Sequence, residues 1–130
     1  AGPTLLAGFI GTIFDTTVRY SGPFMGSSVD TVEDAVSCVL PHASVLRSLS
    51  VRTNDAPNGD SVVFDVMIDG VVNTALSATY LTTDTGTKAG AVSSITVPAL
   101  TRVSLRFTPS AGYTGSSMNN IRWSIDVTRL

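Results

Sequence analysis

The residues best equipped for covalent chemistry are one thiol and one imidazole, Cys38 and His42. Nucleophilic catalysis needs a base within hydrogen-bond reach of the nucleophile. In an extended chain a spacing of four puts both side chains on the same face about 13 Å apart, and only a bend at Pro41 would close that gap. The pair therefore reads as a packing cysteine, buried as lone thiols commonly are, and a loop histidine beside a proline. A zinc site wants at least three Cys or His ligands, and the chain carries one of each. Ten acidic residues would furnish carboxylate pairs for glycoside hydrolysis in any fold, so their presence alone specifies nothing. There is no G-x-S-x-G elbow and no glycine-rich phosphate loop opening a helix. The expectation is no catalytic residue, no metal and no cofactor, hence not an enzyme.

Two weaker constellations concern binding. Asn54, Asp55, Asn58 and Asp60 cluster oxygens on one turn, as calcium requires, although Asn and Asp in turns usually serve their own backbone. Tyr113, Asn119 and Asn120 fall near expected strand ends, where an aromatic face and two amides could contact a glycan.

Composition narrows the classes further. The chain is 43% hydrophobic and only 14% charged, with mean hydropathy +0.30 and a single lysine, Lys88. Its surface must be made largely of Ser, Thr, Asn and Gly, and part of it is expected to be covered by neighbouring subunits. Seven arginines are scattered through a chain of net charge −2, so no basic stripe exists for nucleic acid or anionic lipid. The apolar start over 4–14 is interrupted by Gly8, Gly11 and Thr12, lacks a basic flank and is too short to span a bilayer. Neither a nucleic-acid nor a membrane partner is expected.

The elements that must position these residues are strands. The dominant period is two: over 61–69 Phe64, Val66 and Ile68 share one face, and Asp69-Gly70 supplies the positive-φ pair of a hairpin returning over 71–80. Over 121–127 Ile121, Trp123, Ile125 and Val127 alternate with Arg122, Ser124 and Asp126, a half-buried strand. Further strands are expected over 5–13, 17–24, 44–54, 91–97 and 101–107. The stretch 28–40 has some helical spacing, but its β-branched content and Pro41 favour a strand over 32–40. Eight or nine strands with turn signals every 8 to 12 residues predict an all-β antiparallel sandwich of jelly-roll type. Residues 1–16 form an apolar arm or first strand, and 17–130 the jelly-roll domain. The run over 4–14 places apolar groups on both faces, a pattern satisfied when another subunit covers one of them. Leu5, Leu6, Phe9, Ile10, Phe14, Tyr20 and Phe24 are therefore candidates for subunit or shell contact.

The segment S-L-S-V-R-T-N-D-A-P-N-G-D-S-V-V-F-D-V-M-I-D-G-V-V-N-T-A-L-S-A-T-Y, then I-T-V-P-A-L-T-R-V-S-L-R-F-T-P-S-A-G and the closing I-R-W-S-I-D-V, resembles a jelly-roll domain of tailed-phage virion proteins, similar to the tumour-necrosis-factor type of sandwich. The likeness covers about 32–127. It is carried most by the Ala56-Pro57 turn, the Asp69-Gly70 hairpin with Thr74-Ala75-Leu76 after it, and the Val103-Ser104-Leu105 strand. Leu100-Thr101 stands where a Gly-Asp turn is usual. The resemblance implies a homotrimer on the capsid exterior, a decoration or cement protein whose partners are its own copies and the major capsid protein. The alternative it implies is a glycan- or receptor-binding adhesion module of a phage fibre or tail.

Overall fold

Eleven strands and one 3-10 turn make up the regular structure of the residues that the computed structural model describes, 4–13, 15–23, 29–57, 61–90, 93–113 and 118–130. In chain order they are β1 (Thr4–Ile13), β2 (Arg19–Ser21), β3 (Val29–Asp30), the 3-10 turn (Glu33–Ala35), β4 (Cys38–Leu40), β5 (Ser44–Thr53), β6 (Ser61–Ile68), β7 (Val71–Leu81), β8 (Gly86–Ala89), β9 (Ser94–Val97), β10 (Thr101–Pro109) and β11 (Met118–Arg129). The first sheet runs β1-β11-β5-β8, with β9 also on β5; the second runs β3-β2-β10-β6-β7, with β4 also on β10. All pairings are antiparallel. The result is a jelly-roll β-sandwich. The count exceeds the expected eight or nine because β3 and β8 are short pieces, too brief to show a period.

Alternation along each strand builds the core. Leu6, Ile10, Leu49, Val51, Ile121, Trp123 and Ile125 of the first sheet meet Phe64, Val66, Tyr80, Leu105 and Phe107 of the second, and apolar area taken from water drives the two together. Two polar ties cross the core. Trp123 Nε1 donates to Ser21 Oγ at 2.9 Å, and the Tyr80 hydroxyl lies 2.8 Å from the Val51 carbonyl and 2.6 Å from that of Gly86. Burial pushes the Tyr80 phenol above its usual range, so it stays a neutral donor. The Asp69-Gly70 hairpin forms as its sequence predicts, with φ 49° and 77°.

Period two fails once in β5 for a local reason. Ser48, at φ 48°, is an extra residue between Arg47, paired with Asp126, and Leu49, paired with Ile125. This bulge flips the parity, so Leu46 and Leu49 both point inward although three residues apart.

The segment read as a strand over 32–40 is mostly something else. Asp30 Oδ1 accepts the Val32 amide at 2.9 Å, the chain tightens into the 3-10 turn, and only Cys38–Leu40 is extended. This strap lies over the outer face of the second sheet, where Ser104 Oγ donates to Glu33 Oε2 at 2.8 Å. Arg102 pairs with Glu33 at 3.4 Å and with Asp34. On this face Asp65, Met67 and Ser104 are buried although they point away from the core. Cys38 is half-buried on β4 rather than buried, because β4 is a marginal strand. The second expected strand, over 17–24, is confined to Arg19–Ser21, and Phe24 lies outside the described residues.

Candidate ligand groove on the open sheet

No strap crosses the outer face of the first sheet among the described residues. Strand registers group its outward side chains in rungs, three of which cross the middle of the sheet. Leu5, Asp126, Arg47 and Ser94 form one; Ala7, Ser124, Ser50 and Ala89 the next; Phe9, Arg122, Arg52 and Thr87 the third. The middle rung carries only methyl and hydroxymethyl groups, so the surface sinks there. Together with the third rung it bounds an open groove of about 640 Å³, within the usual range of small-molecule sites. The groove is lined mainly by apolar atoms, with the hydroxyls of Ser50, Ser124 and Thr87 and the two guanidinium groups of Arg52 and Arg122 as its polar groups.

Its floor is held from below. Gly8 leaves no side chain in the space where the Trp123 indole lies, and a Cβ there would overlap the ring. The indole is itself fixed by its bond to Ser21. At the rim the Arg122 guanidinium sits 6.0 Å from the Phe9 ring centroid, and Arg52 Nη1 donates to Thr87 Oγ1 at 3.2 Å. Arg122 and Arg52 are direct cross-strand partners, and neither meets a carboxylate among the described residues. Arg19, Arg102 and Arg106 each pair with an acid.

The residues singled out by sequence are not gathered in one place. Leu6 and Ile10 point into the chain's own core, which removes them from the surface expected to meet a subunit or shell. Leu5 and Phe9 alternate with them and face outward, Leu5 being 54% exposed. Tyr20 is half-buried on β2, next to Arg106 of β10 in register. Phe14 lies outside the described residues, like Phe24.

Of the glycan candidates, Tyr113 is buried and donates its hydroxyl to the Ile13 carbonyl at 2.5 Å, so its ring is a packing group. Asn119 Oδ1 accepts from Thr12 Oγ1 at 2.8 Å, and its backbone N–H donates to Asp55 Oδ2 at 3.0 Å. Asn120 alone of the three is exposed, in a left-handed conformation at φ 54°. In the candidate calcium turn Asn54 is exposed, Asp55 is engaged by Asn119, and Asn58 and Asp60 lie outside the described residues. His42 is exposed, and its carbonyl accepts from Ser44 Oγ at 2.9 Å.

Sequence reading missed Arg52 and Arg122 as site residues. Each is visible as an outward member of an alternating strand. What the sequence does not show is that β5 and β11 lie side by side.

No protein-family model and no curated relative matches this chain. Among solved structures, the tumour-necrosis-factor protein Eiger from S. frugiperda is similar over 97% of this chain and 94% of its own, at 12% identity and TM-score 0.50, a likeness of fold alone. A family 35 carbohydrate binding module from Clostridium thermocellum aligns over 100% of both chains at 12% identity and TM-score 0.49. The CBM36-1 domain of a multidomain xylanase from the hindgut metagenome of Trinervitermes trinervoides aligns over 95% of this chain and 96% of its own, at 8% identity and TM-score 0.42.

Proposed function

We propose that this chain is a non-catalytic structural domain of a virion, a decoration protein that sits on the capsid exterior as a homotrimer and stabilises the shell by contact. The observation that carries the reading is the free edge of the first sheet. β1 is ten residues long, T-L-L-A-G-F-I-G-T-I, without one charged side chain, and it pairs in unbroken register with β11 along one side only among the described residues. Such an edge presents unpaired backbone groups to any strand or surface that approaches, and proteins that must stay monomeric blunt it with charge, proline or a bulge. The other long uncharged edge, β7, is interrupted in that way: Asp65 pairs with Ser77 and Val66 with Asn73, so Thr74, Ala75 and Leu76 bulge from the ladder.

The trimeric state and the capsid partner come from the resemblance to phage jelly rolls, and the low charge of the surface fits a protein covered by neighbours. Binding an assembled shell but not its free subunits would stabilise the shell by mass action. Light scattering of the purified chain tests the reading. A mass three times the 13.5 kDa of the chain is expected, falling to that of the monomer when Leu5→Lys places a charge beside the edge. A wild-type chain that stays monomeric at micromolar concentration and does not bind shells would overturn it.

A further inference from the structure

We infer that the groove on the open sheet is a binding site for an acidic saccharide, a pyranose carrying a carboxylate. The inference stands apart from the assembly reading, which uses the edge of this sheet where the present one uses its face.

Two facts point to an anion. Like charges directly opposite across a strand pair destabilise a sheet, yet Arg52 and Arg122 are placed so, with no carboxylate paired to either among the described residues. A guanidinium offers a planar fork that matches a carboxylate with two parallel hydrogen bonds, and a ligand bearing one removes the repulsion as it binds. The remaining lining selects among anions. Ser50, Ser124 and Thr87 supply hydroxyls, and the half-buried Phe9 ring supplies an apolar wall. A simple anion would use the arginines and leave the rest idle, whereas a sugar ring with a carboxylate offers hydroxyls to the serines and a C–H face to the phenyl ring. A volume of about 640 Å³ accommodates a ligand of that size. The floor is pre-formed, since the buried Trp123 and Gly8 fix β1 and β11 from beneath, which lowers the ordering cost of binding.

Titration of the full chain with glucuronate, glucose and sodium sulfate, followed by amide chemical shifts, decides the matter. Saturable shifts centred on Phe9, Arg52, Arg122 and Ser124 are expected with glucuronate, and an affinity for glucose lower by at least about tenfold, the loss of one charge-assisted contact. The Arg52→Ala/Arg122→Ala chain should lose glucuronate binding. Ser124→Trp, which fills the floor and keeps both charges, should lose it as well. Both variants alter exposed or half-exposed side chains, and an unchanged amide spectrum away from the groove checks their fold. Equal affinity for glucose and glucuronate overturns the inference, as does an absence of shifts with either. Sulfate displacing glucuronate at equal concentration would show an adventitious ion only and overturns it too. So would a change in solution mass of the double arginine variant without sugar, because the pair would then serve a second copy of the chain. The sugar titrations do not bear on Leu5→Lys, so the two proposals fail separately.

Discussion

The outer faces of the two sheets carry similar small polar residues and end in opposite states. Ser104 on β10 points away from the core, yet it is fully buried, because the strap through the 3-10 turn brings Glu33 onto its hydroxyl at 2.8 Å. Ser124 on β11 also points away from the core and stays half-exposed on the groove floor. The difference lies outside both strands: one sheet is covered by a segment of its own chain, while the other is open among the described residues. An outward position in a strand is thus not a surface position until the rest of the chain has been placed.

The largest expected effect falls beneath the open face. Gly8→Ala would push a methyl group into the buried Trp123 ring, and the indole cannot retreat without giving up Ser21. Overpacking of this kind should cost about 3 kcal/mol, seen as a lower urea midpoint with quenched or shifted tryptophan emission. An unchanged midpoint would mean that the floor is softer than its geometry implies.

The matched serines test the contrast itself. Ser104→Val leaves the carboxylate of Glu33, only 11% exposed, without its hydroxyl partner and should cost about 2 kcal/mol. Ser124→Val should change stability by less than about 0.5 kcal/mol, as surface substitutions do. Equal costs in chemical denaturation would erase the distinction between a closed and an open face.

Much of this architecture is legible in the sequence, and the limits have physical causes. Alternation read one strand at a time gives β6 and β11 with their inward residues and the existence of β7 and β10, and Asp69-Gly70 gives the hairpin. The strap is not legible, because its partners lie far along the chain: Glu33 and Ser104 are 71 residues apart, and the local β-branched run imitates a strand. Tyr113 reads as a loop aromatic from its glycine and serine neighbours, but its partner is the carbonyl of Ile13, 100 residues away. Phe9 was legible only as an apolar member of the first strand and the two arginines only as outward polar residues, since nothing local says that Arg52 and Arg122 meet. The bulge at Ser48 is not legible in the sequence, because the inward placing of both Leu46 and Leu49 is known only once β5 is set against β11.

A smaller effect, of opposite sign, is expected where the strap is anchored. Leu100 donates its amide to the Leu40 carbonyl at 2.7 Å, at the end of β4. Its φ of 68° lies in the left-handed region that suits glycine, the residue usual at this turn in the jelly rolls the sequence resembles. A left-handed L-residue costs roughly 1–2 kcal/mol, and the added freedom of glycine in the unfolded chain returns part of this. The side chain is 72% exposed, so little burial is lost. Leu100→Gly should therefore stabilise the domain by about 0.5–1 kcal/mol and slow hydrogen exchange in β4, leaving β1 and β11 unchanged. Destabilisation would show that the turn needs the leucine for a contact beyond its own backbone.

The smallest effect sits in the connection that carries the chain from the open sheet to the closed one. Asp15, between β1 and β2, accepts from both terminal nitrogens of Arg19, at 2.5 and 3.1 Å, and from the Thr17 amide at 3.0 Å. The arginine bond first, and the Thr17 amide second, hold its carboxyl down from 3.8 to about 2. A carboxyl whose folded value is depressed contributes stability that is present above its unfolded value and lost as pH falls through the folded one. The contribution is full above about pH 4 and fades toward pH 2. Its side chain is 38% exposed, so solvent screening keeps the amount to about 0.5 kcal/mol. Denaturation midpoints of the wild type and Asp15→Asn should differ by that much at pH 6, converge as pH falls to 2, and lie closer together in 1 M salt. A gap that persists at pH 2 would mean that the connection is held by the geometry of its turn rather than by charge, and that the crossing between the sheets does not depend on ionisation.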